Sequence, residues 1–74
     1  PVSVIVNGYE INVVFYEDYI SWSVALYNLQ GKLLMIKTVD SNNVSFDSSA
    51  LPSGLYLIVL SDGKNIIVEE AVKP

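Results

Sequence analysis

The side chains that could carry out catalysis are few. The sequence has no His and no Cys, so a nucleophilic triad would lack both its usual base and a thiol. Only carboxylates, Tyr and Lys remain as candidate bases. Glu17 and Asp18 are adjacent, but neighbours on a loop diverge, and a solvated charged turn explains them better than a catalytic pair. The glycines lie at separate turns, so no glycine-rich loop could hold a phosphate. We therefore expect no catalytic residue and no enzymatic activity.

Carboxylates on loops could also bind a metal ion. Glu17 and Asp18, together with Asp40 or Asp47, could supply oxygen ligands to calcium. Their spacing does not match a calcium-binding loop, and there is no thiolate for zinc or iron. We expect no metal site and no cofactor.

The aromatic residues suggest one binding chemistry, the stacking of a sugar. Tyr16, Tyr19 and Trp22 are close in sequence and could form such a platform. The favoured alternative is that Trp22 lies in the core of the domain and the two tyrosines shield its end. A carbohydrate-binding module therefore stays an alternative of lower rank.

Composition limits the size of the domain and the class of its partners. Residues 1–74 are enough for a single small domain, which buries about 60% of its unfolded surface. The net charge is −4 and Arg is absent, so the basic surface of a nucleic-acid-binding protein is missing. No apolar run approaches the roughly 18 residues of a membrane span. We expect no signal peptide at the start of the sequence. Three interpretations fit this: a mature fragment, a trimmed chain whose export signal was removed, or a cytoplasmic protein.

Apolar residues alternate with polar ones along most of the chain, which predicts strands rather than helices. Asn7-Gly8 predicts a two-residue hairpin turn with positive φ at both positions, and Gly31 and Gly63 mark two further turns. Residues 16–21 are expected to cross from one sheet to the other. The predicted strands are 2–6, 9–15, 22–28, 32–39, 43–47, 55–60 and 65–72. The fold class predicted is all-β, an immunoglobulin-like β-sandwich of about seven short antiparallel strands.

The most informative stretch is the entry into the sixth strand. Leu51, Pro52 and Gly54 form a tight corner, and Tyr56 follows at the start of an apolar run. This pattern resembles a tyrosine corner, in which the phenol bonds back to the backbone of the preceding turn. We expect Tyr56 to be buried and bonded near residues 51–53.

The alternation also predicts a surface for a protein partner. In the fourth strand Leu34 and Ile36 are expected to point inward and Lys37 outward, which leaves Leu33 and Met35 on the outer face. The sixth strand is apolar on both faces, and Leu57 and Val59 are placed outward. Monomers rarely expose a large contiguous apolar patch. The candidate interaction surface is therefore Leu33, Met35, Leu57 and Val59, with an exposed end near Lys73. The alternative is that these apolar residues are scattered or are capped by nearby loops.

Three segments of the sequence resemble a known family. Residues 24–34 resemble that family's strand–YNLxG–strand hairpin, residues 51–60 its LPxGxY strand, and residues 61–64 its last hairpin. The family is the C-terminal sorting domain of the type IX (Por) secretion system, and the resemblance covers about residues 24–74. It implies a seven-stranded immunoglobulin-like tail of Gram-negative bacterial proteins, recognised in the periplasm by the outer-membrane export machinery. The tail is then cleaved while its cargo is attached to the cell surface or released.

The resemblance makes an exported, non-enzymatic sorting domain the first functional hypothesis. The expected partner is a protein, either the secretion machinery or a parent protein, with no nucleic acid and no membrane insertion. The expected location is the periplasm, the cell surface or the medium. Small secreted immunoglobulin-like domains of unknown function share the LPxGxY strand. A stand-alone secreted interaction module is therefore the second hypothesis.

Overall fold

The computed structural model describes residues 2–74, and this part of the chain is all-β. The strands are β1 (Val2–Val6), β2 (Glu10–Phe15), β3 (Ser23–Tyr27), β4 (Leu33–Thr38), β5 (Asn43–Asp47), β6 (Gly54–Ser61) and β7 (Ile66–Lys73). They confirm the predicted fold class and all seven predicted strands. Among residues 2–74 there is no helix that is both long and apolar enough to cross a membrane.

The strands form two antiparallel sheets that face each other. The three-stranded sheet has the order β1-β2-β5, and the four-stranded sheet has the order β4-β3-β6-β7. Residues 16–22 connect β2 to β3 and so cross between the sheets, as predicted. In a constant-type immunoglobulin domain the fourth strand joins the sheet of the first two. Here β4 stays beside β3, which widens the sheet that contains β6.

The core lies between the sheets and follows the period-two alternation of the strands. Strands β2, β3, β5 and β6 contribute fully buried side chains from both sheets, namely Ile11, Val13, Val24, Leu26, Phe46, Ile58 and Leu60. Phe15, Tyr19 and Trp22 close one end of this core by aromatic contacts. The inward faces of β2, β3, β5 and β6 are therefore occupied, and only their outward faces are available to a partner.

The first hairpin forms, but not with the predicted turn. Neither Asn7 nor Gly8 has a positive φ. The side-chain oxygen of Asn7 instead accepts hydrogen bonds from the backbone N–H groups of Tyr9 and Glu10, at 3.0 and 2.8 Å. An Asn side chain can replace a backbone turn in this way. Gly31 and Gly63 do have positive φ, at 85° and 94°, as their turns predict.

A β-bulge in β4 reverses the predicted orientation of that strand. Leu26 pairs with Met35, whereas its neighbour Tyr27 pairs with Leu33, so Leu34 is an extra residue in β4. The extra residue inverts the alternation that follows it. Met35 therefore packs against the core, and Ile36 points outward with 57% of its surface exposed. The prediction that Met35 lies outward and Ile36 inward was wrong.

The bulge also changes the place of Lys37. This residue pairs with Val24 and lies on the inner side of β4, at the open side of the sandwich. Its ammonium group donates to the Ser45 carbonyl at 2.5 Å and lies 5.6 Å from the centre of the Phe46 ring. Lys37 therefore links the rims of the two sheets, rather than pointing away from them as predicted.

Candidate interaction surface

The outward face of the four-stranded sheet is mainly apolar, with Ser23, Thr38, Ser61 and Glu70 as its polar members. Directly paired residues of antiparallel strands lie on the same face, so the strand register gives the rows of this face. One row runs from Ile36 through Ala25 and Val59 to Val68. We call the following residues the outer apolar face: Ala25, Tyr27, Leu33, Ile36, Leu55, Leu57, Val59, Ile66, Val68 and Val72.

The edges of the outer apolar face are the most accessible part. Ile66, Val68 and Val72 on β7 are 66%, 54% and 64% exposed. Leu57 and Val59, on the inner strand β6, are partly buried by their neighbours. A strand with one face on the core and one in water normally alternates apolar and polar residues. β6 is apolar on both faces, a composition typical of a strand that is covered on both sides.

The opposite outer face of the sandwich has a different composition. The outward residues of the three-stranded sheet are mainly polar, namely Ser3, Glu10, Asn12, Asn43, Ser45 and Asp47, with Ile5 and Val14 as the apolar members. This is the ordinary alternation of a sheet that faces water. The outer apolar face is thus a property of one sheet and does not follow from the high hydrophobic content of the whole chain.

The structure brings three of the five predicted surface residues together. Leu33, Leu57 and Val59 lie on the outer apolar face. Met35 does not, because of the bulge, and Lys73 is buried, with 7% of its surface exposed. Sequence analysis missed Ile36, Val68 and Val72, which become neighbours of the predicted residues only through the strand register.

Lys73 contacts the segment that connects β5 to β6, residues 48–53, which we call the link. Its ammonium group donates hydrogen bonds to the carbonyl oxygens of Ser48 and Leu51, the second at 2.6 Å. Ser48 is fully buried, and the hydroxyl of Ser53 donates to the carbonyl of Pro74 at 2.8 Å. The end of β7 therefore holds the link in place, and the prediction that Lys73 marks an exposed end was wrong. Burial continues past Glu69 and Glu70, because Ala71 is 1% exposed.

The tyrosine corner predicted from the sequence is present. Tyr56 is 6% exposed, and its hydroxyl donates to the Pro52 carbonyl at 2.6 Å. Gly54 has a φ of 146°, a conformation that residues with a Cβ rarely adopt. Together with Lys73, Tyr56 satisfies the carbonyl groups of a link that lies outside both sheets. The corner fixes the position at which β6, the centre of the outer apolar face, begins.

The acidic residues are dispersed along the chain. Asp62 and Asp47 accept hydrogen bonds from residues of their own turns. The Asp62 carboxylate accepts from the backbone N–H groups of Asn65 and Lys64, which lowers its pKa. The backbone and hydroxyl of Ser49 lower the pKa of Asp47 in the same way. Within residues 2–74, no three acidic side chains meet in a group that could hold a metal ion.

The aromatic residues do not form a joint stacking platform. Tyr19 is buried and contacts Trp22 edge to face, with their ring centroids 4.8 Å apart. Trp22 packs against the core, whereas Tyr16 is 67% exposed. The arrangement matches the core interpretation for Tyr19 and Trp22 and leaves Tyr16 as a single exposed ring.

Fold and surface together define a small antiparallel β-sandwich with one apolar outer sheet. A family model described as the secretion system C-terminal sorting domain matches residues 6–73, nearly the whole chain. The chain therefore belongs to the family of type IX secretion C-terminal sorting domains. The match begins at Val6, the last residue of β1, and includes β2, well before the segment from residue 24 that carried the resemblance. No curated protein matches the chain. Membership of the family implies an exported protein that interacts with the secretion machinery or forms part of a parent protein.

Proposed function

We propose that the folded domain is a non-enzymatic sorting signal, which the type IX secretion machinery recognises through the outer apolar face. Its destination is the cell surface or the medium, reached through the periplasm. The observation that carries the proposal is the apolar row from Ile36 to Val68 across all four strands of one sheet. A sorting signal that is recognised as a folded domain must be recognised at its surface.

The energetics favour docking on this face. Leu57, Val59 and Val68 keep apolar surface in contact with water in the free domain. Burying apolar surface contributes about 25 cal/mol per Å², and a partner that covers the face would gain that free energy. The polar face of the three-stranded sheet offers no comparable gain.

An export assay tests the proposal. Residues 1–74 are fused behind a periplasmic reporter in a host that has the type IX machinery, and the exported fraction is measured. The intact domain should send the reporter to the surface or the medium. The double variant Leu57→Ser and Val59→Ser should block export while the purified domain still shows a cooperative thermal transition.

The other face of the sandwich supplies a matched control. Ile5→Ser with Val14→Ser also replaces two outward apolar residues by Ser, and it should leave export intact. If the reporter stays in the periplasm with a folded, unaltered domain attached, the sorting proposal is wrong. A stand-alone secreted interaction module would then be the surviving hypothesis.

A further inference from the structure

Glu70 is the one charged residue among the outward positions of the four-stranded sheet, as far as residues 2–74 are concerned. Its cross-strand partner is Leu57, and Val68 and Val72 flank it on the same face of β7. Glu70 is exposed in the free domain, so its carboxylate is solvated. The carboxylate therefore lies inside the area that a partner on the outer apolar face would cover.

Covering this carboxylate has a consequence for the partner. A charge that loses its water destabilises a complex unless an opposite charge and hydrogen bonds replace the water. Among residues 2–74, no Lys occupies an outward strand position of this sheet, and Lys32 and Lys64 lie outside the strands. The ammonium groups of Lys37 and Lys73 donate hydrogen bonds to main-chain carbonyls on the inner side of the sandwich. The compensating charge must come from the partner.

We propose that the partner is a protein with an apolar surface that carries an Arg or Lys side chain placed to pair with Glu70. This inference rests on the proposed function and names the chemistry of the component that recognises the domain. An anionic membrane would repel the carboxylate. A second copy of the domain is disfavoured because each copy carries a net charge of −4. Charge complementarity therefore selects a basic protein partner.

Charge reversal at Glu70 tests the inference in the same reporter fusion. Glu70→Lys would place two cations against each other in the complex, and we expect the exported fraction to fall about tenfold or more, the scale of a like-charge contact at an interface. Glu70→Gln would leave the partner's cation unpaired and should give a smaller loss. The thermal unfolding of each purified variant shows that the domain remains folded.

Glu17→Lys is the matched control, because it raises the net charge by the same two units from −4 to −2 at an exposed loop position. It should leave export within about twofold of the unaltered domain, which is the range expected of a charge outside the contact. Export of Glu70→Lys at the level of this control would refute the basic partner and leave the proposed function standing. Failure of the unaltered domain to be exported would instead refute the proposed function, and this inference with it. Light scattering on the purified domain tests whether the partner is a second copy of this chain. A dimer that dissociates on the Glu70→Lys substitution would overturn the inference.

Discussion

Lys73 offers the most direct test of how the end of β7 stabilises the sandwich. The Lys73→Met substitution keeps an unbranched side chain of similar length and removes the ammonium group. The Leu51 carbonyl then loses the donor that Lys73 supplies, and the Ser48 carbonyl keeps only the hydrogen bond from the backbone N–H of Leu51. Because Ser48 is fully buried, water cannot take the place of the Lys73 ammonium group there without opening the link.

The size of the effect follows from two opposing contributions. A carbonyl left without a donor on burial costs about 1–3 kcal/mol, and here this applies to the Leu51 carbonyl, whereas the Ser48 carbonyl loses one of two donors. The methionine side chain returns part of this cost, because a neutral thioether is easier to bury than an ammonium group. We expect a net loss of about 2 kcal/mol in the free energy of unfolding. For a domain of this length, 1 kcal/mol corresponds to a shift of about 4–8 °C in Tm, so Tm should fall by about 8–16 °C.

Urea unfolding and calorimetry of the purified domain measure both quantities. Lys64→Met is the control, since Lys64 is exposed in the β6–β7 turn and its substitution should change stability by no more than about 0.5 kcal/mol. The link should also become the first site of proteolytic cleavage in the Lys73 variant. Equal stability of the two methionine variants would refute the role assigned to Lys73.

Two further predictions concern the corner and the last turn. Tyr56→Phe removes the donor of the Pro52 carbonyl and should destabilise the domain by about 1–2 kcal/mol in urea unfolding. Tyr16→Phe, at an exposed position, should have no measurable effect. Equal urea midpoints for the two variants would show that the corner does not stabilise the fold. Because hydrogen bonds lower the pKa of Asp62 below its ordinary value of 3.8, this carboxylate stabilises the fold above that pH, and its contribution is lost as the pH falls through the lowered pKa. Asp62→Asn should therefore be less stable than the unaltered domain at pH 7, with a difference that shrinks below about pH 4; a difference that grew on acidification would contradict the assignment.

Local sequence patterns were sufficient to predict the strands and the corner. The alternation around Val44 and Phe46 placed β5 at residues 43–47, where the structure has it. The spacing from Pro52 to Tyr56 predicted the hydroxyl bond that the structure contains. Both features depend on residues that are close in sequence, so chain order alone carried the information.

The features that sequence analysis missed depend on contacts between distant segments. The bulge at Leu34 is a feature of how β4 pairs with β3, and no residue type within β4 predicts it. Lys73 is buried because two carbonyls, in a link more than twenty residues away, accept its hydrogen bonds. The row that joins Ile36 to Val68 required the register of four strands. The sequence therefore placed Leu33, Leu57 and Val59 outward, as in the structure, but it misplaced Met35 and Lys73.

The bulge in β4 and the Lys37 contact with Ser45 also restrict the way in which a second chain can attach. A free strand edge is a template for strand addition, and proteins protect it with bulges and with lysine side chains. β4 and β5 are edge strands of their sheets. β4 contains the bulge, and its Lys37 is bonded to the Ser45 carbonyl of β5. An incoming strand at β4 would meet an irregular spacing of amides, and at β5 it would meet a carbonyl already bonded to Lys37. The edges at β4 and β5 thus resist strand addition, while the apolar sheet stays open to a partner that packs against side chains.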